Sequence, residues 1–261
     1  MGRVTAHYES VTEGTRLLTG FGMLEFARSQ EILRRHLPSA PAVVLDVGGA
    51  SGIYSSWLAS LGYQVSLLDL VHKHAVAARA AGLVSIQGDA RSLPYPDACC
   101  EAVLLMGPLY HLTERKCRVA ALAEAGRVLR PGGVVLVAGI CRYAALMAGL
   151  VLGLFDDPQF ETVLRRNLDE GQHRNPDGDP QYFTTAYFHL PLQLCDEMKE
   201  AGFAIEELLA VEGPGWLVKD FEQAWADELK RKRLLDFTRR VQSEPALLGV
   251  SPHFMAVGRR Q

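Results

Sequence analysis

The sequence predicts an α/β fold, a parallel sheet of seven strands with helices on both faces. Three observations carry that expectation. Short apolar runs alternate with helix-spaced segments from residue 42 onward, as strands and crossover helices do. A tight run of small residues, Gly48-Gly49-Ala50-Ser51-Gly52, follows the first apolar run directly. The alternation then breaks between Cys141 and Pro191 and resumes, which marks an insertion.

Each element follows from its own residues. Leu17, Leu18, Phe21, Leu24, Ile32 and Leu33 have near-helical spacing, so 15–36 reads as a leading helix, broken around Gly20 and Gly22. Residues 42–47 form a continuous apolar run, as a strand buried on both faces requires. A helix over 53–61 closes at Gly62, and 64–69 is the second strand. An Ala-rich helix over 72–81 ends at Gly82 before a third strand at 83–87. The fourth strand is 101–106. A helix over 113–129 ends at Arg130-Pro131-Gly132-Gly133, before a fifth strand at 134–140. Two helical segments, 143–155 and 158–170, and a Gly/Pro/Asp loop at 173–180 fill the insertion, expected over one edge of the sheet. A helix at 192–201, a strand at 203–211, helical material at 219–240 and a last strand at 252–258 complete the chain. The implied organisation is an N-terminal helical cap (1–40), a ligand-binding core (41–140), an insertion (141–190) and the remainder of the core sheet (191–261).

Composition excludes several classes. The chain has 261 residues, 48% hydrophobic and 22% charged, enough to bury a core without covalent staples. Its 27 basic and 30 acidic residues leave a net charge of −3, which disfavours a nucleic-acid clamp. Five cysteines without a Cys-x-x-Cys pair favour neither a disulfide framework nor a zinc site and suit a reducing compartment. The first residues lack the apolar core of a signal peptide, and the charge-free stretch at 143–155 is too short to span a bilayer. A cytoplasmic protein without membrane or nucleic-acid partners, monomeric or homodimeric, is the expectation.

In an open parallel sheet, ligands bind beyond the carboxyl ends of the strands. Four such ends carry chemistry here. Asp46 and the turn through Gly48, Gly49, Ala50 and Gly52 let the backbone approach a ligand. Asp69, followed by Leu70, ends the second strand, where a carboxylate accepts hydrogen bonds from a ribose diol. Asp89-Ala90 follows the third strand and suits an adenine edge, and Met106 ends the fourth. Each alone is an ordinary strand-to-helix turn or cap; in order at successive strand ends they describe a nucleoside site. A dinucleotide fingerprint needs glycine at 48, 50 and 53, where the chain has Gly48, Ala50 and Ile53. A Walker loop and any cation in the turn are absent, so the nucleoside carries no phosphate.

The segments VLDVGGASG (44–52), LLD (67–69), GDARSLPYPD (88–97), EAVLLMGPLYHL (101–112) and EAGRVLRPGGVVLV (124–137) resemble the class I S-adenosylmethionine-dependent methyltransferases. The resemblance covers residues 40–140 well and extends to Ala201-Gly202-Phe203 and the strand behind it. It implies a Rossmann-like seven-stranded sheet whose last strand is antiparallel. It also implies S-adenosylmethionine over Gly48–Gly52, with Asp69 on the ribose and Asp89–Ala90 on adenine, and S-adenosylhomocysteine as product. The family's middle glycine is Ala50 here, which adds strain if that residue has positive φ. In related enzymes an N-terminal helix closes over the cofactor, which would bring Arg28 to the methionine carboxylate and Tyr8 to the acceptor pocket.

A sulfonium methyl is already activated, so alignment of the acceptor supplies much of the rate. His111 is the first candidate to orient or deprotonate an acceptor, with Tyr110 beside it; a structural histidine at a helix start is the alternative. The aromatic stretch 182–189 places Tyr187 and His189 as acceptor-pocket candidates. No metal is expected: Asp156, Asp157, Asp177 and Asp179 read as caps and loop residues. The fourth strand ends in Met-Gly-Pro-Leu, not the Asn/Asp-Pro-Pro motif of adenine and glutamine methylases, so a small-molecule acceptor is favoured. The alternatives are a macromolecular substrate, for which Lys230–Arg233 is the one basic run, and a non-catalytic protein that only binds the cofactor.

Overall fold

The computed structural model describes residues 13–175 and 182–261. The chain builds one sheet of seven strands in the order β3-β2-β1-β4-β5-β9-β8. These are β1 (Val43–Val47), β2 (Gln64–Asp69), β3 (Val84–Gln87), β4 (Cys100–Leu105), β5 (Leu129–Ile140), β8 (Phe203–Ala210) and β9 (His253–Arg260). A separate two-strand ribbon pairs β6 (Gln172–His173) with β7 (Ala186–Tyr187). β1 to β5 are mutually parallel, and β9 runs antiparallel between β5 and β8. β1 lies between β2 and β4, so chain order reverses there and a crevice opens above its carboxyl end.

The strands are apolar on both faces because helices cover both. Val103 and Leu105 of β4 join one core cluster, and Ala102 and Leu104 join the other. The first cluster is closed by α5 (Arg115–Val128) and α8 (Pro191–Glu200), through Ala121, Leu122 and Met198. The second is closed by α1 (Gly22–His36) and α2 (Ile53–Ser60), through Ile32, Leu33 and Leu58. Two elements differ from the expected boundaries. The leading segment is a 3-10 helix, Glu13–Leu18, that folds back on α1. Gly22 permits this, because a Cβ there would fall 2.0 Å from the Arg16 carbonyl. β5 starts at Leu129, before the expected turn: β4 advances from Cys100 to Ala102 while β5 advances from Leu129 to Val134. The Pro-Gly-Gly excursion is thus a bulge within a strand, with Gly132 at φ +75°.

The insertion comprises α6 (Ala144–Leu152), α7 (Pro158–Glu170) and the β6–β7 ribbon. It stands on the carboxyl end of β5, not on a sheet edge. The His189 amide donates to the Ile140 carbonyl at 2.8 Å, and β7 packs against α4 (Pro108–His111). Its own cluster gathers Ile140, Phe160, Leu164, Tyr182 and Phe188. Asp157 caps α7, accepting from the Gln159 amide at 2.9 Å. The remaining helices are α3 (His72–Ala80), α9 (Phe221–Ala226), α10 (Glu228–Val241) and α11 (Pro245–Leu248). Among the described residues, no helix is long and apolar enough to cross a membrane.

Candidate cofactor and acceptor site

A cleft opens where β1, β2, β3 and β4 end, walled by the glycine turn, Asp69, Asp89 and the Met106–Leu112 segment. The turn from β1 is drawn down tightly. The Gly48 amide donates to the Leu68 carbonyl at 2.6 Å. A Cβ at Gly48 would fall 2.7 Å from Pro108 Cδ, and one at Gly49 only 2.5 Å from Asp46 Oδ2. Glycine is required at Gly48 because the β1 turn touches the β4 turn at Pro108, and at Gly49 because the turn folds back over Asp46 and Leu67. Ala50 does adopt positive φ, +48°, which costs an alanine about 1–2 kcal/mol. In that conformation its amide donates to Asp69 Oδ2 at 2.9 Å.

Asp46, Gly48, Gly49, Ala50, Asp69, Leu70, Asp89, Ala90, Met106, Tyr110 and His111 all line the cleft. Asp46 is fully buried under the turn. Its Oδ2 accepts from Ser55 Oγ at 2.6 Å, while Oδ1 has no hydrogen-bond partner. Burial pushes its pKa up to about 6, against the Ser55 hydrogen bond and assisted by the nearby Asp69 charge. Asp69 is held by three donors: the Ala50 amide, the Val71 amide at 2.8 Å and His74 Nδ1 at 3.1 Å, the last two on Oδ1. A carboxylate has about four acceptor positions, so one on Oδ2 remains for a ligand hydroxyl. Accepting both hydroxyls of a diol, as expected from the sequence, requires His74 or a backbone amide to yield. Asp89 is more heavily engaged. Arg91 gives it a backbone amide at 2.9 Å and a guanidinium at 2.6 Å, and that arginine holds the carboxyl below its ordinary range. An adenine amino group would compete with Arg91 there.

Tyr110 and His111 form α4 and project from the β4 end toward the insertion. Their rings meet edge to face at 4.7 Å, and His111 stacks on Phe183 at 6.1 Å. Phe183 in turn neighbours His173, which is stacked on Phe188 at 4.8 Å. Burial pushes His173 down to about 4, so it is neutral near pH 7. The cleft therefore has a polar nucleoside side and an aromatic side.

Four expectations are corrected. Arg28 is not in the cleft: it is buried on the inner face of α1, donating to the Val211 carbonyl and Gln242 Oε1 and pairing with Glu31. The arginine on the cleft wall is Arg16, bonded to Glu25 at 2.6 and 2.9 Å. Gly52 does not line the cleft but starts α2 at φ +90°. Tyr187 and His189 lie at the base of the insertion, in an ion network. Arg118 covers the Tyr187 ring at 3.8 Å and chelates Glu197, and His189 Nε2 lies 3.4 Å from Glu197. Burial pushes Glu197 up, but His189 and Arg118 outweigh it and hold it at about 2, while burial pushes His189 down. The pair is Arg118–Glu197, with a neutral histidine beside it. Tyr8, Asp177 and Asp179 lie outside the described residues.

The structure adds Arg16, Leu17, Tyr54 and His74 to the cleft. His74 had a readable signal, one helical turn beyond an acidic strand end. Arg16 had none, because only the fold-back at Gly22 brings it here.

A family model described as a methyltransferase domain matches residues 45–137. A ubiquinone biosynthesis O-methyltransferase of Xylella fastidiosa (strain 9a5c) is 30% identical over 193 residues, 71% of this chain and 70% of that protein. One from Xanthomonas axonopodis pv. citri (strain 306) is 29% identical over 185 residues, 68% of this chain and 69% of that protein. Among solved structures, an S-adenosylmethionine-dependent methyltransferase of Mesorhizobium loti has a TM-score of 0.60 at 17% identity, covering 91% of this chain and 100% of that one.

Proposed function

The chain belongs to the class I S-adenosylmethionine-dependent methyltransferases, and from that premise we propose that it methylates a hydroxyl of a small, largely apolar molecule. The observation that carries this reading is the two-sided cleft, whose polar crown faces Tyr110 and His111, with Phe183 stacked on His111. The names of the two curated relatives support oxygen as the methyl acceptor.

The residues fit the cofactor. The buried Asp46 Oδ1 without a partner is an acceptor suited to a cationic tail. The Gly48–Gly49 cradle leaves no room for a side chain, and Asp69 Oδ2 keeps one acceptor position for a ribose hydroxyl. When bound, S-adenosylmethionine supplies a methyl group on a sulfonium, an electrophile that needs no further activation. Asp46 and Asp69 hold and orient, Leu70 and Ala90 pack the apolar edge of the base, and Met106 borders the reacting end. Tyr110 and His111, the latter stacked on Phe183, exclude water and present the acceptor; His111 is the group placed to take its hydroxyl proton.

Calorimetry with S-adenosylhomocysteine tests the cofactor half. Binding is expected, and Asp69→Ala should weaken it by about 1–3 kcal/mol, roughly 5- to 150-fold. A folded protein that gives no heat with millimolar ligand sinks the reading. Transfer of labelled methyl to a panel of phenols and alcohols tests the acceptor half. Label appearing only in protein or RNA would overturn it.

A further inference from the structure

Arg16 is the one arginine or lysine among the described residues that line the cleft. It reaches the wall from the 3-10 helix Glu13–Leu18, and its guanidinium grips Glu25 of α1 through two bonds, at 2.6 and 2.9 Å. Glu25 does not serve Arg16 alone. Its Oε2 lies 3.7 Å from Nδ1 of His253, the first residue of β9. The same Nδ1 donates to Glu212 Oε1 at 2.6 Å, so a line of four polar groups runs from the cleft wall to the start of β9. We propose that Arg16 receives the carboxylate of the cofactor's amino-acid tail and that His253, acting through Glu25, is the positioning residue that lets it do so.

The line has a fixed end and a movable end. The Glu212 side chain is 3% exposed, and its Oε2 accepts from the His253 amide at 3.0 Å, which turns Oε1 toward the imidazole. The Glu25 side chain is 12% exposed and that of Arg16 44%, so Arg16 is the member with room to turn. Asp46, at the foot of the same cleft, suits the ammonium group of that tail, so the two charged groups of the amino acid have separate partners.

Charge decides how Arg16 is shared. Burial pushes His253 down, but Glu25 and Glu212 outweigh it and hold the imidazole above its ordinary value. Burial pushes Glu25 up, but His253 and Arg16 outweigh it and hold the carboxyl below its ordinary range. Two cations then balance two carboxylates. With His253 charged, Glu25 has a second cation beside it, and Arg16 can turn its fork to another carboxylate in the cleft. Once His253 loses its proton, one cation faces two carboxylates. Glu25 then retains Arg16, and a further carboxylate meets net negative charge. Two more ionisable groups face the cluster from other elements. The Tyr54 hydroxyl of α2 senses Glu25, Glu212 and Arg16, and burial pushes it above its ordinary value. Cys141, beyond β5 and beside Arg142, senses Glu212 and is likewise pushed up by burial. Neither loses a proton near neutral pH, so His253 is the group that switches. Cofactor affinity should therefore fall as pH rises through the His253 titration.

The inference rests on the cofactor half of the proposed function, and the test separates the two. Calorimetry from pH 6 to 8.5 compares S-adenosylhomocysteine with its decarboxylated analogue, which keeps the nucleoside, sulfur and amine. In the parent protein the preference for S-adenosylhomocysteine should fall about 3- to 10-fold as pH rises. Titration of Asp46 acts on both ligands and cancels in that ratio. Arg16→Gln should weaken S-adenosylhomocysteine by about 10-fold or more and leave the analogue nearly unchanged, which also reports a folded variant. His253→Gln, uncharged throughout, should lower the preference at pH 6 to the parent's high-pH value and remove its pH dependence. Equal weakening of both ligands in Arg16→Gln overturns this inference alone, as does a pH dependence that survives in His253→Gln. Failure of the parent protein to bind either ligand overturns the cofactor reading itself and this inference with it.

Discussion

At the scale of single residues, the cofactor side of the cleft holds strain and unmet charge. Ala50 has φ +48° because its amide must reach Asp69, and its methyl group contributes only strain there. Ala50→Gly should therefore raise the melting temperature by about 2–4 °C, a gain near 1 kcal/mol. A lowered melting temperature would show that the methyl packs usefully. Asp46 makes a pH-dependent prediction. Its carboxyl titrates at about 6 in the folded chain against 3.8 ordinarily, chiefly through burial. Between those values the folded protein binds a proton that the unfolded chain does not, so this group adds stability as pH falls from above 6 toward 4. Above pH 6 the charged buried form costs on the order of 2–3 kcal/mol. Asp46→Asn keeps the shape without the charge. It should raise the urea midpoint clearly at pH 8, have little effect at pH 4, and weaken S-adenosylhomocysteine binding. Equal destabilisation at both pH values would contradict this account.

At the scale of elements, the insertion and α8 are joined by buried charge. Arg118 of α5 chelates Glu197 of α8, with Tyr187 and His189 packed against the pair. Arg118→Met strands a carboxylate that is 3% exposed and should cost about 3–5 kcal/mol. The double change with Glu197→Gln should recover much of that, since no charge remains buried, and neither should alter cofactor affinity. Urea unfolding of the single and double variants decides it; equal losses in both would show that packing, not the stranded charge, sets the cost. These residues also show where sequence patterns stop being informative. The aromatic density of 182–189 is visible in sequence, but not which side of the ribbon each ring takes. Tyr187 and His189 turn to the Arg118–Glu197 pair while Phe183, which precedes β7, stacks on His111, although strand alternation alone would give all three the same side. The β1 to β4 ends were legible because the chain must turn at each, and turning needs glycine or a capping aspartate. Arg28 was misplaced for the opposite reason: helical spacing shows an inward position but not whether the partner is a ligand or the Val211 carbonyl.

At the scale of the whole molecule, the sheet order divides labour. The alternation of apolar runs revealed seven strands, while the antiparallel β9 came from family likeness, since a short buried strand carries no sign of its direction. That reversal matters: it brings the first residues of β9 and the last residues of β8 to the same end as the cofactor cleft. Ligand binding should therefore stiffen one half of that end and leave the other unchanged. The cofactor cleft draws on β1 to β4 and the folded-back Arg16–Leu17 segment, whereas β8 and the β6–β7 ribbon supply none of its walls. Hydrogen exchange with saturating S-adenosylhomocysteine should slow at 48–54, 69–74, 88–92 and 106–112, and at 16–18 if the leading segment closes on the ligand. Exchange in β8 and at 186–189 should stay as in the free protein. Protection spreading evenly over both halves would mean that the ligand stabilises the fold globally and that the cleft is not a local site. Protection confined to β8 and β9 would place the nucleoside over the Glu212–His253 end and reverse the assignment of the two halves.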